Sequence, residues 1–184
     1  MQGPDIPIAQ RTDPELMALA AEGSAPAFAE IVRRHQNGLL NFFRRMGVYT
    51  EAEDLSQDTF LRLFRQRFRY RPVAKFTTFL YTLARSVWVD HVRRCGRAER
   101  LRLGLEAEPA VADAPAPRPM GQCMDAESAL NSLSPKLREV LVLNVLQGLR
   151  YQDVAEVLGI PLGTVKSRIN LALREIRKVM HEGK

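Results

Sequence analysis

The feature that most limits the fold is an interruption. From Gly104 to Met124 the chain reads GLEAEPAVADAPAPRPMGQCM, with four Pro and five Ala. It carries neither the helical nor the two-residue apolar period. Such a stretch has no face to bury, and it reads as a tether, partly extended. A chain of 184 residues cut at this place leaves two blocks, residues 1–103 and 125–184. Each is small, so its margin of stability should be modest. Neither shows sustained alternation, so strands are not expected. The expectation is an all-α protein: two small helical domains joined by a flexible Pro/Ala-rich linker.

Helix punctuation fills both blocks. Thr12-Asp13-Pro14-Glu15 offers a cap, a first-turn Pro and an acid at the positive helix end. This predicts a helix running to Ala21 and stopping around Gly23. A second begins at Ala25 or Pro26, with Phe28, Ile31 and Val32 on one face, and continues through Leu39, Leu40 and Phe43 to Met46. Thr50 would cap a third, where Leu55, Phe60, Leu63 and Phe64 recur at helical spacing. Thr77 or Thr78 would open a long helix from about Phe79 to Arg94, with Leu80, Leu83, Val87 and His91 near one face and Gly96 at its end. Between these two helices lies RFRYRPVAKF, Arg67 to Phe76, an ordered basic loop around Pro72. Beyond the tether, folding resumes near Asp125. Ser134-Pro135 supplies another cap and first-turn Pro, before a stripe of Leu137, Val140, Leu141 and Val145 that ends at Gly148.

Charge is distributed unevenly. The net is +6 with a pI near 9.7. Met1 to Phe60 holds nine acids and five bases, whereas Leu61 to Leu103 holds twelve bases against Asp90 and Glu99. An acidic first third running into a basic middle implies two surfaces for two partners, one of them a polyanion. Two cysteines, Cys95 and Cys123, are too few for a disulfide framework and agree with a reducing cytosol. The first residues lack a basic segment followed by an apolar run, and no apolar stretch approaches the roughly 18 residues of a membrane span. A soluble, cytoplasmic protein without membrane insertion is expected.

The stretch YQDVAEVLGIPLGTVKSRI, Tyr151 to Ile169, fits a helix-turn-helix. A first helix from Tyr151 to Leu158 would bury Val154 and Leu158, with Ala155 at the closest crossing. Gly159 suits the left-handed helix-end position, Ile160 fills the corner, Pro161 stops the helix and Thr164 would cap the next. Val165 and Ile169 then face the core, leaving Lys166, Ser167, Arg168 and Asn170 outward. The N-terminal part of such a second helix enters the major groove. There Lys and Arg pair with guanine or phosphate, and Asn with adenine. An ordinary helical hairpin with a solvated face is the competing reading.

At Thr50 to Arg94 the chain resembles an extracytoplasmic-function (ECF) sigma factor of bacterial RNA polymerase. DPELMALAAEGSAPAFAEIVRRH is similar to the start of the family's region 2, EDLSQDTFLRLFR to its most recognisable helix, and FTTFLYTLARSVWVDHVRR to its promoter-melting helix. LNSLSPKLREVLVLNVLQGLRYQDVAEVLGIPLGTVKSRI resembles region 4, and the tether stands where this minimal group lacks a middle region. The resemblance implies a region 2 domain over 1–103, a linker over 104–124 and a region 4 domain over 125–184. It implies that Glu53, Asp54, Gln57 and Asp58 dock on the clamp of the polymerase's largest subunit, with the flap as a further contact. Taken alone, those acids also suit an ordinary helix start.

The resemblance assigns the minus-ten element, its recognition and melting, to the basic loop and the following helix. Arg67, Arg69, Arg71 and Lys75 would hold phosphates. Tyr70, Phe76 and Phe79 would stack on unpaired bases, worth roughly 1–3 kcal/mol per base, with core packing as the alternative use of these rings. Thr164, Lys166, Ser167, Arg168 and Asn170 would read the minus-thirty-five element. An anti-sigma factor that holds the protein inactive until a stress signal is usual in the family. Phe79 stands where the family has Trp, Ser86 where it has Asn, and Leu171 where a basic residue is common. These departures imply weaker melting or a shifted sequence preference.

Catalytic signals are missing: there is no Gly-rich phosphate loop, nucleophile elbow or paired carboxylates. His91 and Cys95, four apart on a helix, are two ligands where a metal needs three or four. A non-enzyme without metal or cofactor is expected. Two other readings are a stand-alone helix-turn-helix regulator and a metal enzyme built on His91 and Cys95.

Overall fold

A computed structural model describes residues 6–72, 75–103 and 126–182. The tether expected at Gly104–Met124 lies outside them. Every regular element among the described residues is helical, as the periodicity predicts.

In the N-terminal half, α1 (Asp13–Ala21) starts behind Thr12, whose N–H and hydroxyl both donate to the Glu15 carboxylate at 2.6 and 2.7 Å. The first of these bonds satisfies one of the backbone donors that a helix start leaves orphaned. Ser24 opens α2 (Ala25–Arg45) by accepting from the Ala27 N–H. The third helix, α3 (Ala52–Gln66), begins behind Glu51 rather than Thr50, and no side chain caps it. These helices and α4 (Phe76–Leu103) bury Leu16, Met17, Ile31, Leu39, Phe42, Phe43, Leu63, Leu80 and Val87 in one core.

Two expectations for α4 are corrected. It starts at Phe76, three residues before Phe79, because the Phe76 ring is buried and fixes the first turn against the core. It also runs through Gly96. A Gly inside a helix costs only about 1 kcal/mol relative to Ala, too little to stop so long a helix.

The C-terminal half comprises α5 (Ala126–Asn131), α6 (Pro135–Leu141), a π turn over Val142–Leu146, α7 (Tyr151–Leu158) and α8 (Leu162–Glu182). The π turn corrects the expected stripe. It holds one residue more than an α turn, and each residue advances a helix by about 100°. Val145 is thereby carried out of the stripe and is 56 % exposed, while Leu143 and Leu149 are buried. Arg138 is buried too, and its guanidinium donates to the carbonyls of Leu130, Asn131 and Leu133, closing the end of α5.

The halves share one continuous core, with α7 lying against α4 and the end of α2 beside α5. At the joint the Tyr81 hydroxyl donates to the Gln147 side chain. Gly38 of α2 lies beneath this bond, and a Cβ there would stand 3.1 Å from the Tyr81 hydroxyl.

Candidate nucleic-acid and polymerase interfaces

The helix-turn-helix forms as its residues dictate. Gly159 sits at φ +64°, a conformation that side chains with a Cβ rarely adopt. The Ile160 N–H donates to the Ala155 carbonyl at 3.1 Å, folding the corner over a half-buried Ile160. Thr164 does not cap the second helix. That helix begins at Leu162, and the Thr164 and Val165 N–H groups are taken by the Pro161 carbonyl. The Ser167 hydroxyl donates back to the Thr164 carbonyl at 3.0 Å, so it is occupied within the helix. Lys166, Asn170 and Leu171 are exposed, and Arg168 is half-exposed.

The basic loop is differently arranged. A 3-10 turn spans Arg67–Arg69. Arg67 folds back: it donates to the Phe64 carbonyl at 2.7 Å, and its guanidinium stacks 3.9 Å from the centre of the Phe64 ring and 4.1 Å from that of Phe68. Arg67 is therefore held by protein groups here, where the sequence led us to expect it to hold phosphate. Arg69 and Arg71 are exposed. Lys75 reaches across the joint to Asp153 at 3.1 Å. Tyr70, Phe76 and Phe79 form one aromatic cluster, with Tyr70 5.9 Å from Phe76 and 5.4 Å from Phe79. Tyr70 and Phe79 keep partly open faces. Phe76 is only 4 % exposed, so it supports the other rings instead of offering a stacking face of its own. The exposed Ser86 hydroxyl accepts from Arg62 at 3.0 Å, and Arg62 also pairs with Asp90 at 2.8 Å.

On α3, Glu53, Asp54 and Gln57 form an exposed acidic and polar edge. Asp58 turns away from it into an open depression of about 430 Å³ shared with Arg62, Asp90, Arg93, Arg94 and Arg97. None of those four arginines was singled out from sequence. Following one face of α4 through and past Gly96 would have found three of them, because positions 90, 93, 94 and 97 share a helix face.

The polar contacts of the joint also escape a sequence reading, since they link residues far apart in the chain. Arg85 pairs with the buried Glu139 at 2.7 Å. Burial pushes the Glu139 carboxyl up, and the charges of Arg85 and Arg168 hold it back. The Tyr49 hydroxyl donates to Glu127 at 3.1 Å and accepts from Asn131 at 2.9 Å. On α4, the exposed Cys95 lies 3.6 Å from His91 Nε2. No group of three potential metal ligands occurs among the described residues, and no described helix is long and apolar enough to cross a membrane.

Residues 31–98 fit the Sigma-70 region 2 model and residues 123–176 the Sigma-70, region 4 model. The chain is 33% identical to ECF RNA polymerase sigma factor SigE of Mycolicibacterium smegmatis over 87% of its own length and 64% of that relative. It is 30% identical to ECF RNA polymerase sigma factor SigC of Mycobacterium tuberculosis, over 82% and 81% of the two chains. The sigma factor RpoE of Bartonella quintana, solved with the anti-sigma factor NepR, superposes with a TM-score of 0.69 at 26% identity, covering 84% and 96% of the two chains. With a helix-turn-helix in the C-terminal half, a basic aromatic loop in the N-terminal half and both regions matched in order, the chain belongs to the ECF sigma factors of the sigma-70 family.

Proposed function

We propose that this protein binds core RNA polymerase, recognises a promoter at two points and assists its melting. The supporting observation is the pairing, on one chain, of an exposed reading helix with a half-open aromatic cluster flanked by bases. A stand-alone repressor needs the first and has no use for the second. Residues 125–184 act as the region 4 domain, with Lys166, Arg168 and Asn170 reading the minus-thirty-five element. Residues 1–103 act as the region 2 domain. Arg69 and Arg71 hold phosphates of the minus-ten segment, Lys75 joins them once released from Asp153, and Tyr70 and Phe79 receive unpaired bases. Glu53, Asp54 and Gln57 dock on the clamp of the largest polymerase subunit, and the C-terminal half meets the flap.

Polymer synthesis belongs to the polymerase, so the chain itself is not an enzyme, and its place of action is the cytoplasm. An anti-sigma factor of the kind seen with RpoE would keep it inactive by holding the halves together. The test is to mix the protein with core polymerase and sequence transcripts started from genomic DNA. Initiation at a defined set of sites is expected, and polymerase-independent binding to palindromic half-sites would overturn the reading. Charge reversal at Glu53 and Asp54 together should weaken core binding. Intact binding would remove this edge from the polymerase interface.

A further inference from the structure

A carboxylate at the joint is shared between two cations from different halves. Glu139 of α6 is buried, and its Oε1 accepts from the Arg85 Nε of α4 at 2.7 Å. Burial pushes the Glu139 carboxyl up, and it is pulled back first by Arg85 and then by Arg168 of α8. The helices that carry Glu139 and Arg168 pack on each other. Arg168 stands three residues from Val165 and four from Ala172, both fully buried, so it borders the face that α8 turns to the core. Lys166 and Asn170 stand away from that face and are exposed. Arg168 nevertheless forms no hydrogen bond or ion pair among the described residues, and Glu139 is held by Arg85.

That pairing is incompatible with reading a promoter at two points. The minus-ten and minus-thirty-five elements lie, by their names, roughly 25 base pairs apart, about 85 Å along the duplex. A folded chain of this size has a radius of gyration of about 16 Å. Halves that share one core cannot meet both elements, so they part, and Arg85 is carried away from Glu139. Arg168 is then the cation left beside Glu139, and a carboxylate stripped of its partner favours a replacement. A guanidinium has five N–H donors in a planar fork. It can hold a carboxylate on one edge and the O6 and N7 atoms of guanine on another.

We infer that Glu139 is a positioning residue for Arg168: it exchanges Arg85 for Arg168 when the halves part, and so presets that guanidinium for one guanine of the upstream element. This rests on the reading that α8 enters the minus-thirty-five element. Glu139 touches no DNA in this arrangement. In the closed chain Arg168 has no brace. In the open chain its freedom is removed before DNA arrives, so less is lost on binding. Opening and upstream reading are thereby coupled through one carboxylate.

The test uses the full-length chain, free and in holoenzyme with core polymerase. The DNA is a labelled duplex carrying the upstream element found by initiation-site sequencing. Anisotropy titrations with duplexes altered one base pair at a time give the preference at each position, with far-UV helicity and core binding as folding controls. Arg168→Ala should lower preference at one guanine about tenfold. Glu139→Gln keeps the shape and loses the charge. In holoenzyme it should lower preference at that same guanine several-fold and leave the other positions unchanged, and Glu139→Asp should recover part of the loss. The double variant Glu139→Gln, Arg168→Ala should be no worse than Arg168→Ala, since both act through one contact. Arg85→Ala alters a partly exposed side chain and releases Glu139. It should raise binding by the free chain several-fold, only on duplexes that keep that guanine, and leave holoenzyme unchanged. Wild-type preference or an even loss at every position in Glu139→Gln, or a double-variant loss equal to the product of the single losses, would overturn the positioning role. No rise in Arg85→Ala, or an equal rise on the altered duplexes, would overturn the exchange. If Lys166→Ala and Arg168→Ala both left every preference unchanged, reading by α8 would itself fall.

Discussion

The two halves hold the groups proposed to face DNA in different conditions. In the C-terminal half, Lys166 and Asn170 stand exposed on α8, whose direction is set by Gly159, Pro161 and Val165, all close in sequence. In the N-terminal half Arg69 and Arg71 are exposed, but several of the corresponding groups are already engaged: Arg67 with Phe64 and Phe68, Lys75 with Asp153, Ser86 with Arg62. On the proposed reading, one half presents a finished reading surface, and the other holds an arrangement in which several groups exchange protein partners for DNA.

The comparison is tested first by whether the halves, which share a core, unfold together. Phe42 is fully buried and packs edge-on against both Phe43 and Tyr81, the residue that meets Gln147 at the joint. Phe42→Ala should cost about 3–5 kcal/mol. Denaturation followed by far-UV circular dichroism and Trp88 fluorescence should show one shifted transition. Two separated transitions would show that the shared core carries little coupling.

A smaller effect tests the finished surface. Gly159→Val forces a branched side chain into the left-handed region and should destabilise the C-terminal half by about 1–2 kcal/mol. Binding to a minus-thirty-five duplex should fall while core polymerase binding persists, as read by fluorescence anisotropy with each partner.

Single contacts then sharpen the contrast. Lys166→Ala should relax preference at one base pair, at a cost of about 1–3 kcal/mol. Arg69→Ala should weaken all sequences alike and reduce the salt slope of binding by about 1. Equal sequence dependence in both variants would erase the distinction between reading and holding.

The smallest effect concerns acid. Hydrogen bonds from Arg33, then from Arg34, draw the Glu30 carboxyl down to about 2, far below the usual glutamate value. Folded Glu30 stays ionised where the unfolded chain takes up a proton. Its contribution is therefore present above the ordinary glutamate range and lost as pH falls toward 2. Melting temperatures between pH 6 and 2.5 should decline less steeply in Glu30→Gln than in the wild type.

This contrast also explains what could be read in advance. The helix-turn-helix is local: Tyr151 to Leu158, Gly159 and the burial of Val165 and Ile169 follow from spacing and backbone preference within twenty residues, and all are found. The all-helical architecture follows from the same periodicity. Some errors fall where contacts between distant segments decide: Phe76 extends α4 because of a core that α1 and α2 help build. Others are local, since Val145 is turned out by the π turn that contains it and Arg67 is claimed by the rings of Phe64 and Phe68. Glu139 and Gln147 were invisible as joint residues because their partners, Arg85 and Tyr81, lie beyond the tether. Propensity reports such encounters poorly, since they depend on where the halves meet.

Gly38 turns that meeting into something adjustable. Alanine in its place would strengthen α2 by up to about 1 kcal/mol, yet its methyl would crowd the Tyr81 hydroxyl. Stiffening the helix would thus loosen the bond to Gln147. How firmly one half keeps its shape and how readily the molecule parts are set against each other at one hydrogen atom.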